Sequence, residues 1–123
     1  MTKLNLLVLY TADLQISLAF YKALGLQFVE EQHGSGPIHY ACEQDGFVIE
    51  IYPGKAGNPV DRKQAGAVML GFHVADLNST LETLKALGTV IVTEPKQSDW
   101  GLRAVVQDPD GRSVDLSEPT TSQ

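Results

Sequence analysis

A chain of 123 residues, 43% of them apolar, has the length of one compact domain and enough apolar residues to bury a core. Its formal charge of −6, with no basic run, excludes a surface that tracks nucleic-acid phosphates. Cys42 is the sole cysteine, which excludes an intrachain disulfide and a thiolate metal cluster, and no apolar run approaches the length of a membrane span. The apolar opening at 4–10, LNLLVLY, is too short for a signal peptide and is broken by Asn5. It reads as a strand in a cytoplasmic protein. Asp13 then caps a helix whose Leu14, Leu18, Tyr21 and Leu24 fall on one stripe, and Gly25 suits the left-handed turn that closes it. Three strand-like runs follow: QFVEEQH at 27–33, IHYACE at 38–43 and FVIEIY at 47–52, the last two joined by a tight turn at Asp45-Gly46. Residues 54–66, rich in Gly, Pro and charge, read as a linker.

The second half repeats the first. A strand over 68–74 leads to a second capping residue, Asp76. A stripe of Leu77, Leu81, Leu84 and the neighbouring Leu87 follows, closed by Gly88. The runs TVIVTE (89–94), RAVVQ (103–107) and SVDLS (113–117) come next, the last two joined through DPDG at 108–111; the tail from 118 is expected to fray. Aligning 8–25 on 71–88 matches Ala12 with Ala75, Asp13 with Asp76, Leu14 with Leu77, Leu18 with Leu81, and Lys22-Ala23-Leu24-Gly25 with Lys85-Ala86-Leu87-Gly88. Matches in one register favour a duplicated unit over two unrelated amphipathic helices. The predicted fold class is α+β: two βαβββ modules, 1–53 and 67–119, in one domain over 1–123.

The doubled plan, ADLQISLAFYKALGL at 12–26, FVIEIY at 47–52 and above all WGLRAVVQDPDGRSVDL at 100–116 resemble the vicinal oxygen chelate superfamily, the group of glyoxalase I, bleomycin-resistance proteins and extradiol dioxygenases. The resemblance implies two tandem modules with sheets curling around a shared cavity, in a homodimer. It also implies a divalent metal held from four strands, at the positions that are Leu6, Glu50, Met69 and Asp115 here. Leucine offers no donor and a thioether is a poor partner for a hard cation, so only Glu50 and Asp115 remain as metal ligands. The expectation is therefore no metal cofactor, with one divalent ion as the alternative.

Strand alternation puts Tyr10 and His73 at equivalent cavity-facing positions. If Asp45-Gly46 is a two-residue loop, His39 faces Tyr52 and Ala41 faces Glu50, while Tyr40 and Cys42 turn toward the helix and Cys42 is a buried structural thiol. A three-residue loop at 109–111 pairs Val105 with Asp115 and Arg103 with Ser117, where Arg103 can neutralise Asp115. Trp100 is either lid packing or a stacking platform. Metal-free relatives that sequester drugs imply aromatic stacking, a part open to Tyr10, Tyr52 and Trp100, with Glu50 and Asp115 attracting positive charge. His73 is a wall residue, a ligand contact or a general base, and His39 has the same alternatives. His33 reads as a solvent-exposed loop residue. A metal site from His39, Glu50, His73 and Asp115 is chemically reasonable.

No GxSxG, HExxH, CxxC or phosphate-cradling Gly-rich loop occurs. The function expected is metal-independent binding of a planar or cationic small molecule, in the manner of the bleomycin-resistance proteins. The alternative is a metal-dependent lyase, isomerase or dioxygenase, or an enzyme using His73 as catalytic base. A scaffold whose cavity its own side chains fill is the third possibility.

Overall fold

The computed structural model describes residues 1–54, 68–99 and 101–119. The expected linker, all but its first residue, and Trp100 lie outside them. The chain divides into two units, Met1–Asn58 and Pro59–Gln123.

In the first unit the extended backbone at Asp13 aims its carboxylate at the free N–H of Ile16, 3.1 Å away, and α1 (Leu14–Ala23) starts there. Ahead of it runs β1 (Leu6–Thr11); after it come β2 (Val29–Glu31), β3 (His39–Gln44) and β4 (Phe47–Pro53). They form one sheet in the order β1-β4-β3-β2, with β1 parallel to β4 and the other neighbours antiparallel. Asp45 (φ 52°) and Gly46 (φ 85°) make the two-residue turn between β3 and β4, and both need positive φ. The register is the one expected: Gln44 opposite Phe47 and Ala41 opposite Glu50.

The second unit repeats the plan. Its elements are β5 (Leu70–His73), α2 (Leu77–Ala86), β6 (Ile91–Ser98), β7 (Gly101–Gln107) and β8 (Ser113–Glu118), in the sheet order β5-β8-β7-β6. Asp76 caps α2 through the N–H of Ser79 at 3.0 Å. The β7–β8 register matches expectation, Val105 opposite Asp115 and Arg103 opposite Ser117. The turn that sets it is tied by Asp108, whose Oδ1 accepts the N–H groups of Asp110 and Arg112, both at 2.9 Å.

Each sheet is two-faced. One face packs on its helix: Leu9, Cys42, Ile49 and Ile51 with Leu18, Phe20 and Tyr21 in the first unit, and Ala104, Val106, Val114 and Leu116 with Leu77, Leu81 and Leu84 in the second. Cys42 is buried, as expected of a structural thiol. The other face carries the alternate residues and is open. Burial differs from the expected helix stripes at two points. Ser17 and Phe20 are buried in α1, Ser17 through a hydroxyl contact with the buried Thr11. Leu87 is 50% exposed, because it is the C-cap of α2 and the chain has left the helix face there. The edge strands also differ. β2 is only three residues long, and β6 runs on through Pro95 to Ser98 with two register shifts. An edge strand tolerates a proline because one side of its backbone needs no ladder partner.

Candidate functional site

The parallel pairing of β1 with β4 sets Val8 beside Glu50 and Tyr10 beside Tyr52 on the open face. The Tyr10 and Tyr52 rings lie 6.2 Å apart at 47°. Gly54 makes room for Tyr10, since a Cβ there would meet its ring at 3.3 Å. Tyr52 in turn stacks on His39 with centroids 4.1 Å apart and planes 9° from parallel. His39, the first residue of β3, faces Glu31 across the ladder. Its Nδ1 lies 3.3 Å from the carbonyl of Pro37, which can only accept, so that nitrogen carries a proton. Its Nε2 lies 3.2 Å from Glu31 Oε1 and 3.4 Å from Glu50 Oε2. The Tyr52 phenol is held above its ordinary value, first by desolvation and then by the charges of Glu50 and Glu31 and by Tyr10.

Four of the residues expected at the site, Tyr10, His39, Glu50 and Tyr52, are thus brought together by one sheet. His39 is 1% exposed. It supports Tyr52 and Glu50 from beneath and does not present itself to a ligand on the open surface. Beside the cluster, Leu6, Val29, Ala41, Val48, Glu31 and Glu50 line a concavity of about 780 Å3.

In the second unit β5 and β8 set Gly71 beside Asp115 and His73 beside Ser117. Met69, Gly71, His73, Arg103, Asp115 and Ser117 line a concavity of about 700 Å3. Arg103 Nη2 and Nε both reach Asp115 Oδ2, at 2.5 Å. The expectation that Arg103 could neutralise Asp115 therefore matches the geometry, and Asp115 is poorly placed to select a cation. His73 is exposed and, among the described residues, has no side-chain partner.

The positions that the family resemblance assigned to a metal do not fit one. Leu6 and Met69 are exposed side chains with no oxygen or nitrogen donor. Glu50 faces His39 and Asp115 is held by Arg103. The sequence reading passed over Glu31. With His33 and His39 it presents three ligand atoms within 4.8 Å of one another. Its signal was the spacing Glu-x-His in QFVEEQH followed by His39, visible only once β2 and β3 are paired.

The chain belongs to the glyoxalase/bleomycin resistance protein/dioxygenase superfamily, whose family model matches residues 3–116. It is 28% identical over 117 residues to an uncharacterized protein of Mycolicibacterium smegmatis, covering 95% of this chain and 94% of that one. Among solved structures it is similar to TnmS3, an antibiotic binding protein from Streptomyces, with a TM-score of 0.66, 20% identity and 98% of both chains covered. It is also similar to FosX, a fosfomycin resistance protein from Listeria monocytogenes, with a TM-score of 0.71, 20% identity, and 100% of this chain and 95% of that one covered. At such identities the likeness is one of fold. No helix among the described residues is long and apolar enough to cross a membrane.

Proposed function

We propose that this chain is a small-molecule-binding protein that works without a metal at the family's four positions and sequesters a planar, partly cationic compound, as a cytoplasmic homodimer. The observation that carries this reading is the open sheet face of the first unit. There Tyr52 is stacked on a buried histidine with Tyr10 beside it, and Glu50 lies at the edge of a concavity of about 780 Å3. Aromatic rings supply area and stacking at little conformational cost, and a half-buried carboxylate favours a ligand cation. TnmS3 is an antibiotic binding protein built on the same fold, which supports the same class of ligand here.

A planar cationic acridine dye and its uncharged anthracene counterpart test the reading by fluorescence titration. The dye binds more tightly than the uncharged ring, and Glu50→Gln narrows that difference by about tenfold, the worth of one charged contact near 1.4 kcal/mol. Equal binding of both by the wild-type chain, or no change in Glu50→Gln, refutes it. Light scattering in solution reads the dimer, and a single-chain mass removes that part.

A second reading has its own observation. His73 is exposed, partner-free among the described residues, and shares a concavity with Arg103 and Asp115. An imidazole so placed is able to take a proton from a bound substrate while Arg103 stabilises the anion that forms. Turnover of any substrate that survives His73→Gln unchanged removes that role.

A further inference from the structure

We propose that Glu31, His33 and His39 form a binding site for one late first-row divalent cation, of the zinc, cobalt or nickel class, at the end of the β2–β3 pair. It is distinct from the four-strand position of the family, and it does not depend on the ligand proposed above.

Three features carry it. The first is spacing. Ligand atoms held about 2.0–2.1 Å from a tetrahedral ion lie roughly 3.3 Å from one another. Glu31 Oε1 is 3.2 Å from His39 Nε2 and 3.8 Å from His33 Nε2, and all three ligand atoms lie within 4.8 Å of one another, so an ion fits among them once the exposed His33 ring closes in. The second is the state of His39. Its Nδ1 donates to the Pro37 carbonyl, the outer-shell hydrogen bond that orients a metal-bound imidazole and leaves Nε2 as the donor. The Tyr52 oxygen lies 3.2 Å from that nitrogen, but the two rings are stacked. It therefore sits over the imidazole and leaves the in-plane direction at Nε2 to Glu31. A contact between Nε2 and a carboxylate needs a proton between them, and a bound cation would take that proton's place.

The third feature is access and support. His39 is 1% exposed, whereas the side chains of Glu31 and His33 are 39% and 75% exposed, so one ligand is rigid and buried and two form an open rim. The rigid ligand is fixed by its ladder pairing with Glu31 and by Tyr52 above it. Two imidazoles and one carboxylate suit late transition ions over magnesium or calcium, which take oxygen. Glu50, whose Oε2 is 3.4 Å from the same His39 nitrogen, adds negative charge that deepens the attraction. Bound there, the ion would tie the end of β2 to the start of β3 and so close the loop at 32–38 beside the Tyr10–Tyr52 face.

The test is titration of the metal-free full chain with Co(II), read by visible absorption and by calorimetry. The expected result is one equivalent bound, with the intense visible band of a four-coordinate nitrogen and oxygen set. His33→Gln and Glu31→Gln should each weaken binding by about tenfold to a hundredfold or more, since even outer-shell partners are worth that much. His33 is exposed, so its variant keeps the fold, which circular dichroism checks. Asp115→Asn, in the other unit, should bind cobalt as the wild type does. No binding overturns the proposal. So does cobalt binding that His33→Gln leaves intact and Asp115→Asn abolishes, which would return the ion to the family position.

Discussion

Asp108→Ala is the sharpest perturbation available in the second unit, because one buried carboxylate holds the turn that sets the β7–β8 register. Asp108 is 3% exposed. Its Oδ1 accepts the N–H groups of Asp110 and Arg112 and its Oδ2 accepts Arg112 Nη1, all at 2.9 Å. Hydrogen bonds to a charged group are worth about 1.5–3 kcal/mol each, and removing one partner of a buried pair costs about 3–5 kcal/mol. Arg112 keeps a second partner, Asp110 Oδ2 at 3.6 Å, and its side chain is 15% exposed. The lower end applies, about 3 kcal/mol. For a chain of this size that corresponds to a fall in Tm of roughly 12 °C, read by scanning calorimetry. Asp108→Asn retains an acceptor for the two N–H groups and should lose only about 1–2 kcal/mol. The site feels the change as well. A one-residue slip of β7 on β8 would turn Arg103 to the helix side, away from Asp115. A loss below about 1 kcal/mol in the alanine variant, or equal losses in both variants, refutes the view that the carboxylate organises the turn.

Two further outcomes follow from burial and charge. The Tyr52 phenol is raised above its ordinary value of 10.0 and should ionise above it. Because the folded chain holds that proton more tightly than the unfolded one, its contribution to stability is full below pH 10 and is lost as pH rises through the folded value. Subtracting the ultraviolet phenolate titration of Tyr52→Phe from that of wild type isolates this component, and a component titrating at or below 10 contradicts it. Leu84 is fully buried and Leu87 is 50% exposed. Leu84→Ala should cost about 2–5 kcal/mol in urea unfolding and Leu87→Ala at most about 0.5 kcal/mol. Similar losses would return Leu87 to the core stripe.

Where a single short-range device decides a feature, the chain shows it. Asp-Gly at 45–46 sets the β3–β4 register, and from that register alone Glu50 faces Ala41 and the Tyr52 ring comes to lie on His39. The caps at Asp13 and Asp76 and the turns at Gly25 and Gly88 are equally local, and all four stand where the pattern put them. What the pattern hides depends on pairings across long gaps. Glu31 meets His39 only because β2 is three residues long and pairs at one particular offset, and the turn at 33–36 lies inside a seven-residue connection too long for it to fix that offset. Leu87 is a failure of another kind: a helical period counts residues but does not mark where the helix ends, and the cap lies there.

The duplication explains which parts are which. Residues repeated in both units, the caps, the closing glycines and the helix leucines, are those that turn inward on each sheet or terminate its helix. The open faces differ at every paired position: Leu6 and Met69, Val8 and Gly71, Tyr10 and His73, Glu50 and Asp115. A face free of packing obligations changes chemistry without cost to the core. This chain has used that freedom twice over. Of the four positions that the resemblance assigns to a metal, two are apolar, and the two carboxylates face partners, His39 in one unit and Arg103 in the other. An apolar change alone would leave two like charges exposed on the open faces. Each carboxylate instead stands within 3.4 Å of a nitrogen base on the neighbouring strand.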